Sequence, residues 1–297
     1  MDETVVITGA SRGIGKALAV ALARGAPAPQ KVVLVARSAS DLDAVAREVQ
    51  GAGVAAACVP ADLSTRAAAT DLAARLAEHL PAPATLVHNA GLWPSRRELT
   101  SDGLERAFAI NCVGPLLLQR ELLARGLVRR VMVVGAGLMV KGRFDEARTP
   151  TGEDFSSWRT YCNTKLAFAL ATRDAAAAHP DVDFVVLHPG VVRTDLGARP
   201  GLLGALLRLA KRSWETPETC AARLREVLGR PRWSPPGEAR WLFEGTEQPW
   251  PAVADDETTR RAVRQALSRA LPSEVAQAGT AGAQPSGGAY GPISPER

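Results

Sequence analysis

The amino-acid sequence predicts a single α/β domain built on a doubly wound parallel sheet. Short runs rich in valine, isoleucine and leucine alternate along the chain with longer stretches of helical period, and the short runs are almost wholly apolar. Strands that are apolar throughout are buried on both faces, so helices must cover both sides of the sheet. A chain of 297 residues is long enough to bury a core of that size.

Six strands are predicted before residue 189, each an apolar run bounded by turn-forming residues. They are Thr4–Thr8, Lys31–Ala36, Val54–Val59, Thr85–His88, Arg130–Val134 and Asp183–His188. Between them, apolar residues recur three and four positions apart, which indicates helices. The predicted helices are Ile14–Arg24, Leu42–Gln50, Ala67–His79, Leu104–Arg125 and Trp158–His179. Right-handed crossovers between successive strands then give the doubly wound order.

The pattern is looser after the sixth predicted strand. The elements predicted there are the helices Thr219–Leu228 and Asp256–Leu271 and the short strand Glu238–Phe243. A leucine-rich segment broken by glycines, residues 196–212, is predicted to form a helical lid. Residues 272–297 are rich in Gly, Ala, Ser and Pro, which is typical of a disordered tail, so we expect the folded domain to span residues 1–271.

Composition and charge argue against several classes of protein. The formal net charge is +5, but the arginines are spread along the chain and form no basic block, so no nucleic-acid partner is expected. The four cysteines lie far apart without a CxxC pair, so no metal site is expected. The chain enters its first strand at once and has no apolar run that could span a bilayer, so we expect a cytoplasmic protein without a transmembrane segment.

A glycine-rich stretch, TGASRGIG, connects the first predicted strand to the first predicted helix. Gly9, Gly13 and Gly15 allow a tight turn and let backbone N–H groups approach a pyrophosphate, which the positive end of the helix attracts. The same glycines would also serve a plain tight turn, so the pattern alone is weak evidence. Its position between strand and helix favours a dinucleotide site.

The end of the second predicted strand indicates which dinucleotide binds. An acidic residue there would hold a ribose 2′-hydroxyl, whereas an arginine accommodates a 2′-phosphate. The sequence has Arg37 and Ser38 at this point and no acid before Asp41, and Arg12 in the glycine-rich stretch adds a second positive charge. We therefore predict NADP(H) as the cofactor, in preference to NAD(H).

Tyr161 and Lys165 are four residues apart and so share one face of a predicted helix. A free phenol has a pKa of about 10 and is a weak acid–base catalyst at neutral pH. A neighbouring ammonium group, together with the positive ring of an oxidised nicotinamide, is expected to lower the pKa of Tyr161 into the working range. This spacing is common among surface pairs, so its interpretation depends on the other motifs.

Taken together, the motifs resemble the short-chain dehydrogenase/reductase family over residues 3 to about 271, and its retinol-dehydrogenase-like and WW-domain-oxidoreductase-like members most of all. The matching segments are TGASRGIG (8–15), ADL (61–63), NAG (89–91), TSDGLERAFAINCVG (100–114), YCNTKLA (161–167), LHPGVVRTDL (187–196) and TPETCA (216–221). The resemblance implies a Rossmann fold and catalysis by Tyr161, Lys165 and Asn111, the last as the anchor of a water relay. The cofactor contacts that it implies are Gly9, Ser11, Arg12, Gly13, Ile14, Gly15, Arg37, Asp62, Leu63, Asn89, Ala90, Gly91, Tyr161, Lys165, Pro189, Gly190, Val192 and Thr194.

One position departs from the family pattern. The family's active-site serine follows the fifth strand, and alignment of VMVVGAG with that segment places Ala136 there. The serine donates a hydrogen bond to the substrate carbonyl oxygen, and loss of such a donor costs about 3–4 kcal/mol. The sequence leaves open whether the substrate supplies the missing contact or a nearby hydroxyl replaces it. The hydroxyls that precede Tyr161 are those of Thr149, Thr151, Ser156 and Ser157.

We therefore expect an NADP(H)-dependent oxidoreductase that transfers hydride between the nicotinamide and an apolar carbonyl or alcohol substrate. The alternative is a catalytically impaired member of the family that acts as an NADP(H)-binding sensor or interaction protein. The leucines of residues 196–212 favour an apolar substrate, although they would equally pack the lid onto the domain. The resemblance also implies a homodimer or homotetramer formed through Leu104–Arg125 and Trp158–His179, whose apolar faces also cover the sheet.

Overall fold

A computed structural model of the chain describes residues 3–81, 83–194, 196–197 and 213–272. The strands are β1 (Thr4–Thr8), β2 (Lys31–Ala36), β3 (Ala55–Pro60), β4 (Ala84–His88), β5 (Val128–Val134), β6 (Asp183–His188), β7 (Ala239–Phe243) and β8 (Thr246–Gln248). Within the described residues they form one sheet in the order β3-β2-β1-β4-β5-β6-β7-β8. The pairs from β3 to β7 are parallel, and β8 pairs antiparallel with β7 at the edge. The predicted doubly wound parallel sheet is confirmed.

Helices cover both faces of the sheet. They are α1 (Gly13–Arg24), α2 (Ala39–Gly51), α3 (Arg66–Ala77), α4 (Arg106–Phe108), α5 (Gly114–Ala124), α6 (Ser157–Ala178), α7 (Pro217–Leu228) and α8 (Glu257–Ala270). Helices α1, α2 and α7 pack on one face, and α3, α5, α6 and α8 pack on the other. In β1, Val5 and Ile7 face the first group and Val6 faces the second, as strand alternation requires. This two-sided burial explains why the strands are apolar throughout.

Two local features differ from the sequence prediction. The predicted helix Leu104–Arg125 is divided into α4, a π-helical turn at Ala109–Val113, and α5. Such a turn inserts one residue into a helix and shifts the phase of the residues that follow. Residues 107–118 are apolar almost throughout, so the shift is not visible in the periodicity. Strand β8 was not predicted; it follows a tight turn in which Glu244 and Gly245 have φ of +49° and +88°.

The strand order fixes where a ligand can bind. The chain runs outward from β1 to β3 on one side of the sheet and from β4 onward on the other, so a crevice opens between the carboxyl ends of β1 and β4. Most of the predicted lid (196–212) and the predicted tail from residue 273 onward lie outside the described residues. None of the described helices is long and apolar enough to cross a membrane.

Candidate active site

The loop between β1 and α1 is closed by its glycines. Gly9 and Gly13 have φ of +67° and +56°, a region that side chains disfavour. A Cβ on Gly9 would lie 2.8 Å from the Cα of Ala90, and one on Gly15 would overlap the carbonyl oxygen of Gly9. Backbone segments therefore pass each other where side chains would stand, which brings N–H groups to the surface of the crevice.

Helix α1 begins without a side-chain cap. Its first residue follows Arg12, whose side chain makes no capping hydrogen bond, and its first turn contains no acidic residue. In contrast, α2, α3, α6, α7 and α8 are each capped by a serine, threonine or aspartate side chain. Uncapped N–H groups at the positive end of a helix suit an anion such as a pyrophosphate. The glycine-rich loop thus fits the phosphates of a dinucleotide.

Asn89 ties the glycine-rich loop to the end of β4. Its side-chain Nδ2 donates to the carbonyl oxygens of Thr8 and Gly9, at 3.0 and 3.1 Å. The backbone N–H groups of Asn89 and Ala90 both donate to Thr8 Oγ1, each at 3.1 Å. These four bonds hold together the two strand ends that border the crevice. Asn89 and Ala90 therefore shape the loop, in addition to their predicted place beside the cofactor.

The two arginines predicted to bind a 2′-phosphate lie at the same edge of the sheet. Arg12 precedes α1 and Arg37 follows β2, the neighbour of β1. Both are exposed, and neither forms an ion pair with a described carboxylate. Ser38 caps α2 by accepting from the N–H of Asp41 at 3.2 Å. The crevice therefore ends beside two exposed positive charges.

Asp62 and Leu63 follow β3, farther along the same edge. Asp62 Oδ1 accepts from the N–H of Ser64 at 2.9 Å, and Leu63 is buried. The carbonyl oxygen of Leu63 lies where a side chain on Gly114 would stand, so the loop packs directly on the start of α5. This contact fixes the segment that was predicted to meet the adenine ring.

Lys165 is buried beneath the crevice. Its Nζ donates to the carbonyl oxygen of Val134 at 3.1 Å, and burial lowers its pKa to about 8. A Cβ on Gly91 would lie 3.4 Å from Lys165 Nζ and 3.7 Å from Asn111 Oδ1. Gly91 therefore leaves room for two of the predicted catalytic side chains to converge below the end of β4.

Asn111 lies in the π-helical turn. Its Oδ1 accepts from the N–H of Leu92 at 2.7 Å, and its Nδ2 donates to the Leu92 carbonyl oxygen at 2.8 Å and to Thr164 Oγ1 at 3.0 Å. Thr164 stands on α6 directly before Lys165. The Asn111 side chain thus joins the segment after β4 to α6, and its role in a water relay stays a prediction.

Tyr161 lies one turn before Lys165 on α6 and is only 5% exposed. Burial raises its pKa far above the ordinary value for a phenol. The chain's own groups therefore do not supply the lowering that we expected, because the Lys165 ammonium is directed at Val134. The phenol hydroxyl makes no hydrogen bond to the described residues, which leaves it available to a ligand.

Ala136 follows β5 in a buried, extended conformation with φ of −152°. The N–H of the preceding Gly135 donates to Leu187 at 2.8 Å, which ties the segment to β6. A Cβ on the following Gly137 would lie 2.9 Å from the His188 ring. This tight packing favours small residues here, and the assignment of Ala136 to the family's serine position stays a prediction.

The four hydroxyls that precede Tyr161 are all engaged elsewhere. Thr149 Oγ1 donates to Asp154 at 2.8 Å, Thr151 Oγ1 donates to the Arg148 carbonyl oxygen at 3.2 Å, Ser156 Oγ caps α6 at 3.2 Å, and Ser157 Oγ accepts from the Trp93 indole at 2.9 Å. Thr149 and Thr151 thus use their hydroxyl protons elsewhere, while Ser156 and Ser157 act as acceptors in these bonds.

The segment after β6 is held by a salt bridge that the sequence analysis missed. The Arg223 guanidinium on α7 donates to the carbonyl oxygen of Pro189 at 2.8 Å and pairs through both nitrogens with Glu215. The Glu215 backbone pairs with residues 191 and 193. No local pattern singles out Arg223, because its partners lie on other elements. Together these contacts position residues 189–194, whose last member, Thr194, approaches Gly13.

Comparison with known proteins identifies the family. The short chain dehydrogenase family model matches residues 3–200. The chain belongs to the short-chain dehydrogenase/reductase family. It is 34% identical over 197 residues to a Streptomyces sp. (strain C5) protein that carries the name of a daunorubicin C-13 ketoreductase, covering 66% of this chain and 68% of that one. It is 29% identical to human retinol dehydrogenase 13 over 285 residues, covering 87% and 82% of the two chains.

Among solved structures, the chain resembles an alcohol dehydrogenase of the archaeon Thermococcus sibiricus complexed with 5-hydroxy-NADP. The two share 26% identity with a TM-score of 0.61, and the match covers 84% of this chain and all of that one. The predicted likeness to retinol dehydrogenases is therefore confirmed, and this short-chain dehydrogenase/reductase is an oxidoreductase that uses a nicotinamide cofactor.

Proposed function

We propose that this protein is an NADPH-dependent reductase of an apolar ketone or aldehyde. The observation that carries the proposal is the approach of Lys165 and Asn111 to each other at Gly91, with the Tyr161 phenol one helical turn before Lys165 and without a hydrogen bond to the described residues. A domain that only bound the nucleotide would need the helix start but would have no use for an available buried phenol. The exposed Arg12 and Arg37 support NADPH over NADH.

Each part of the site has a proposed role. The N–H groups of residues 9–15 hold the pyrophosphate, and Arg12 and Arg37 hold the 2′-phosphate. Residues 189–194 hold the carboxamide, and Lys165 holds the nicotinamide ribose. When bound, the cofactor supplies the hydride. Tyr161 donates its proton to the carbonyl oxygen of the substrate, and Asn111 anchors the water relay that restores it.

Ala136 limits this chemistry on simple substrates. The carbonyl oxygen loses one preorganised donor, which costs roughly 10²–10³ in rate, yet orientation and proton donation still act. A substrate with a hydroxyl beside its carbonyl would supply the contact itself. The names of the relatives refer to daunorubicin and to retinol, so large conjugated ketones and aldehydes belong among the first substrates tried.

The test is NADPH oxidation over a panel of retinal, polycyclic aromatic ketones, aliphatic ketones and α-hydroxy ketones, comparing the native protein with Tyr161→Phe. We expect turnover that is fastest on apolar members and falls by at least about 100-fold in the variant. NADPH binding is followed in the same samples by nicotinamide fluorescence, and both proteins should bind it equally. Turnover that survives in Tyr161→Phe would contradict the assignment of the proton donor.

The alternative is an NADP(H)-binding sensor that has given up catalysis. The bonds of Thr149 and Thr151 favour it, because these two hydroxyls donate elsewhere and do not replace the missing donor in this arrangement. NADPH binding without turnover on any panel member would support this function. The reductase is preferred because the Tyr161 phenol remains available.

A further inference from the structure

Trp93 covers one face of the Tyr161 phenol. The two rings are stacked, with centroids 4.2 Å apart and planes 15° from parallel. The indole Nε1 donates to Ser157 Oγ at 2.9 Å, one helical turn before Tyr161. A second indole, that of Trp158, lies 5.8 Å from Trp93 and is half exposed. Trp93 therefore shields the phenol from water, while Trp158 stands outside it.

The orientation of the indole decides which form of the phenol it stabilises. The face of an aromatic ring carries negative potential, and its positive edge includes the N–H group. Because that N–H is directed at Ser157, the phenol meets the indole face. A phenolate would place negative charge against this face in a largely buried site, whereas a neutral phenol bears only the smaller cost of burying an uncharged hydroxyl.

The surrounding groups do not offset this effect. On its own helix, Tyr161 has Cys162, whose burial raises the pKa of the thiol to about 11, and Lys165, whose Nζ is bound to Val134. None of the described carboxylates contributes to the pKa of Tyr161. The elements packed against α6 carry further titratable and charged groups. They are Cys112 in the π-helical turn, Arg106 paired with Glu98, the buried His88, Arg120 and Glu121 of α5, the exposed Lys141, Asp183 of β6, His188 beside Gly137, Arg240 of β7, Arg260 and Arg264 of α8 paired with Asp174, and Glu257, Arg261 and Arg269 of α8.

The replacement of the family serine acts in the same direction. A hydroxyl at that position would donate to a phenolate and stabilise the charge. Ala136 presents a methyl group instead. Two features, the stacked indole and the absence of a hydroxyl on Ala136, therefore favour the neutral phenol at this site.

We propose that Trp93 is a positioning residue that holds Tyr161 as a neutral proton donor up to alkaline pH, and so extends the pH range in which this site reduces carbonyls. The inference rests on the proposed function. In the reaction, the carbonyl carbon receives hydride from the bound nicotinamide, the carbonyl oxygen receives the phenol proton, and water returns a proton to the phenolate. Oxidation of an alcohol needs the phenolate at the start, so Trp93 shifts that direction to higher pH.

The chain allows a direct test because it has two tyrosines, Tyr161 and Tyr290. In the Tyr290→Phe background, tyrosine labelled with ¹³C at Cζ gives one signal, whose shift reports phenol or phenolate. We expect the chemical shift to remain that of the neutral phenol beyond pH 10, where a free tyrosine with pKa of about 10 is half ionised. Trp93→Ala should move the titration down by at least about one pH unit, a tenfold change in the ionisation constant. The matched control Trp158→Ala should leave it unchanged.

Two further variants keep the test decisive. Trp93→Phe retains a stacked ring and should titrate like the background; Ser157→Ala releases the indole N–H and should shift the titration in the same direction as Trp93→Ala, by less. If Trp93→Ala does not fold, the titration of Ser157→Ala tests the proposal by itself. With a substrate that the protein turns over, the pH at which kcat falls on the alkaline side should decrease together with the midpoint of the ¹³C titration.

An unchanged Tyr161 titration in both Trp93→Ala and Ser157→Ala overturns the proposal, whatever the activity. An absence of turnover on every substrate overturns the proposed function instead, while the titration still decides the effect of Trp93 on the phenol.

Discussion

At the scale of the residue, Ala136 is the position at which we predict a departure from the family pattern. If Ala136 faces the substrate carbonyl, Ala136→Ser restores a donor in a site that is already buried and closely packed. We expect kcat on simple ketones to rise at least about tenfold, within the 10²–10³ that such a donor is worth. Steady-state kinetics with NADPH measures it, and Ala136→Cys, of similar size but with a weak donor, is the control. An unchanged rate would show that Ala136 does not face the carbonyl.

The proposed preference for NADPH can be tested at Arg37, one of the two arginines that we assign to the 2′-phosphate. Arg37 is exposed directly after β2 without a described carboxylate partner, so its charge is available to a 2′-phosphate. Arg37→Ala removes charge-assisted hydrogen bonds worth about 1.5–3 kcal/mol, so the Kd for NADPH should rise roughly 10- to 100-fold while that for NADH changes little. Fluorescence titration with both cofactors measures this. Arg47→Ala, an exposed arginine on α2, should leave both values unchanged.

At the scale of the element, α7 positions residues 189–194 through Arg223, and we propose that this segment holds the nicotinamide carboxamide. Arg223→Met leaves the Pro189 carbonyl and the Glu215 carboxylate without this partner, so we expect KM for NADPH to rise about tenfold and stability to fall by about 1–3 kcal/mol. Kinetics and urea unfolding measure the two effects. Arg225→Met on the same helix removes a bond to Ala26 instead; it should alter stability without altering KM. A KM equally raised by both variants would point to general loosening of α7.

Strands and helices were predicted well where burial makes the spacing of their apolar residues regular. Strands β1, β2 and β6 have the predicted bounds because apolar runs bounded by turn residues record two-sided burial. The π-helical turn that holds Asn111 was not predicted, because residues 107–118 are apolar almost throughout and hide the phase shift that one inserted residue causes. The Trp93 stack and the Arg223 salt bridge were not predicted for another reason: each joins segments far apart in the chain.

At the scale of the whole molecule, α8 packs against α6 and covers part of its surface. Residues 160–172 of α6 are buried throughout within one chain. Helix α8 packs into the same core as α6 through Val263, Leu267 and Ala270. Its Arg264 donates two hydrogen bonds to Asp174 of α6, at 2.8 and 2.9 Å. A homodimer or homotetramer formed through the predicted helix Trp158–His179 would have to use what little of α6 this contact leaves exposed.

This arrangement predicts that α8 keeps α6 from associating with other molecules. Leu267→Asp places a carboxylate in the α8–α6 contact, where loss of a buried leucine alone costs about 2–5 kcal/mol. We expect α8 to detach, the melting temperature to fall and the apolar side of α6 to drive self-association that grows with protein concentration. Light scattering after size-exclusion chromatography measures the association, and Gln265→Asp on the exposed side of α8 is the matched control. If the Leu267→Asp protein keeps the native mass at every concentration, the side of α6 that α8 covers does not drive self-association, and the prediction is wrong.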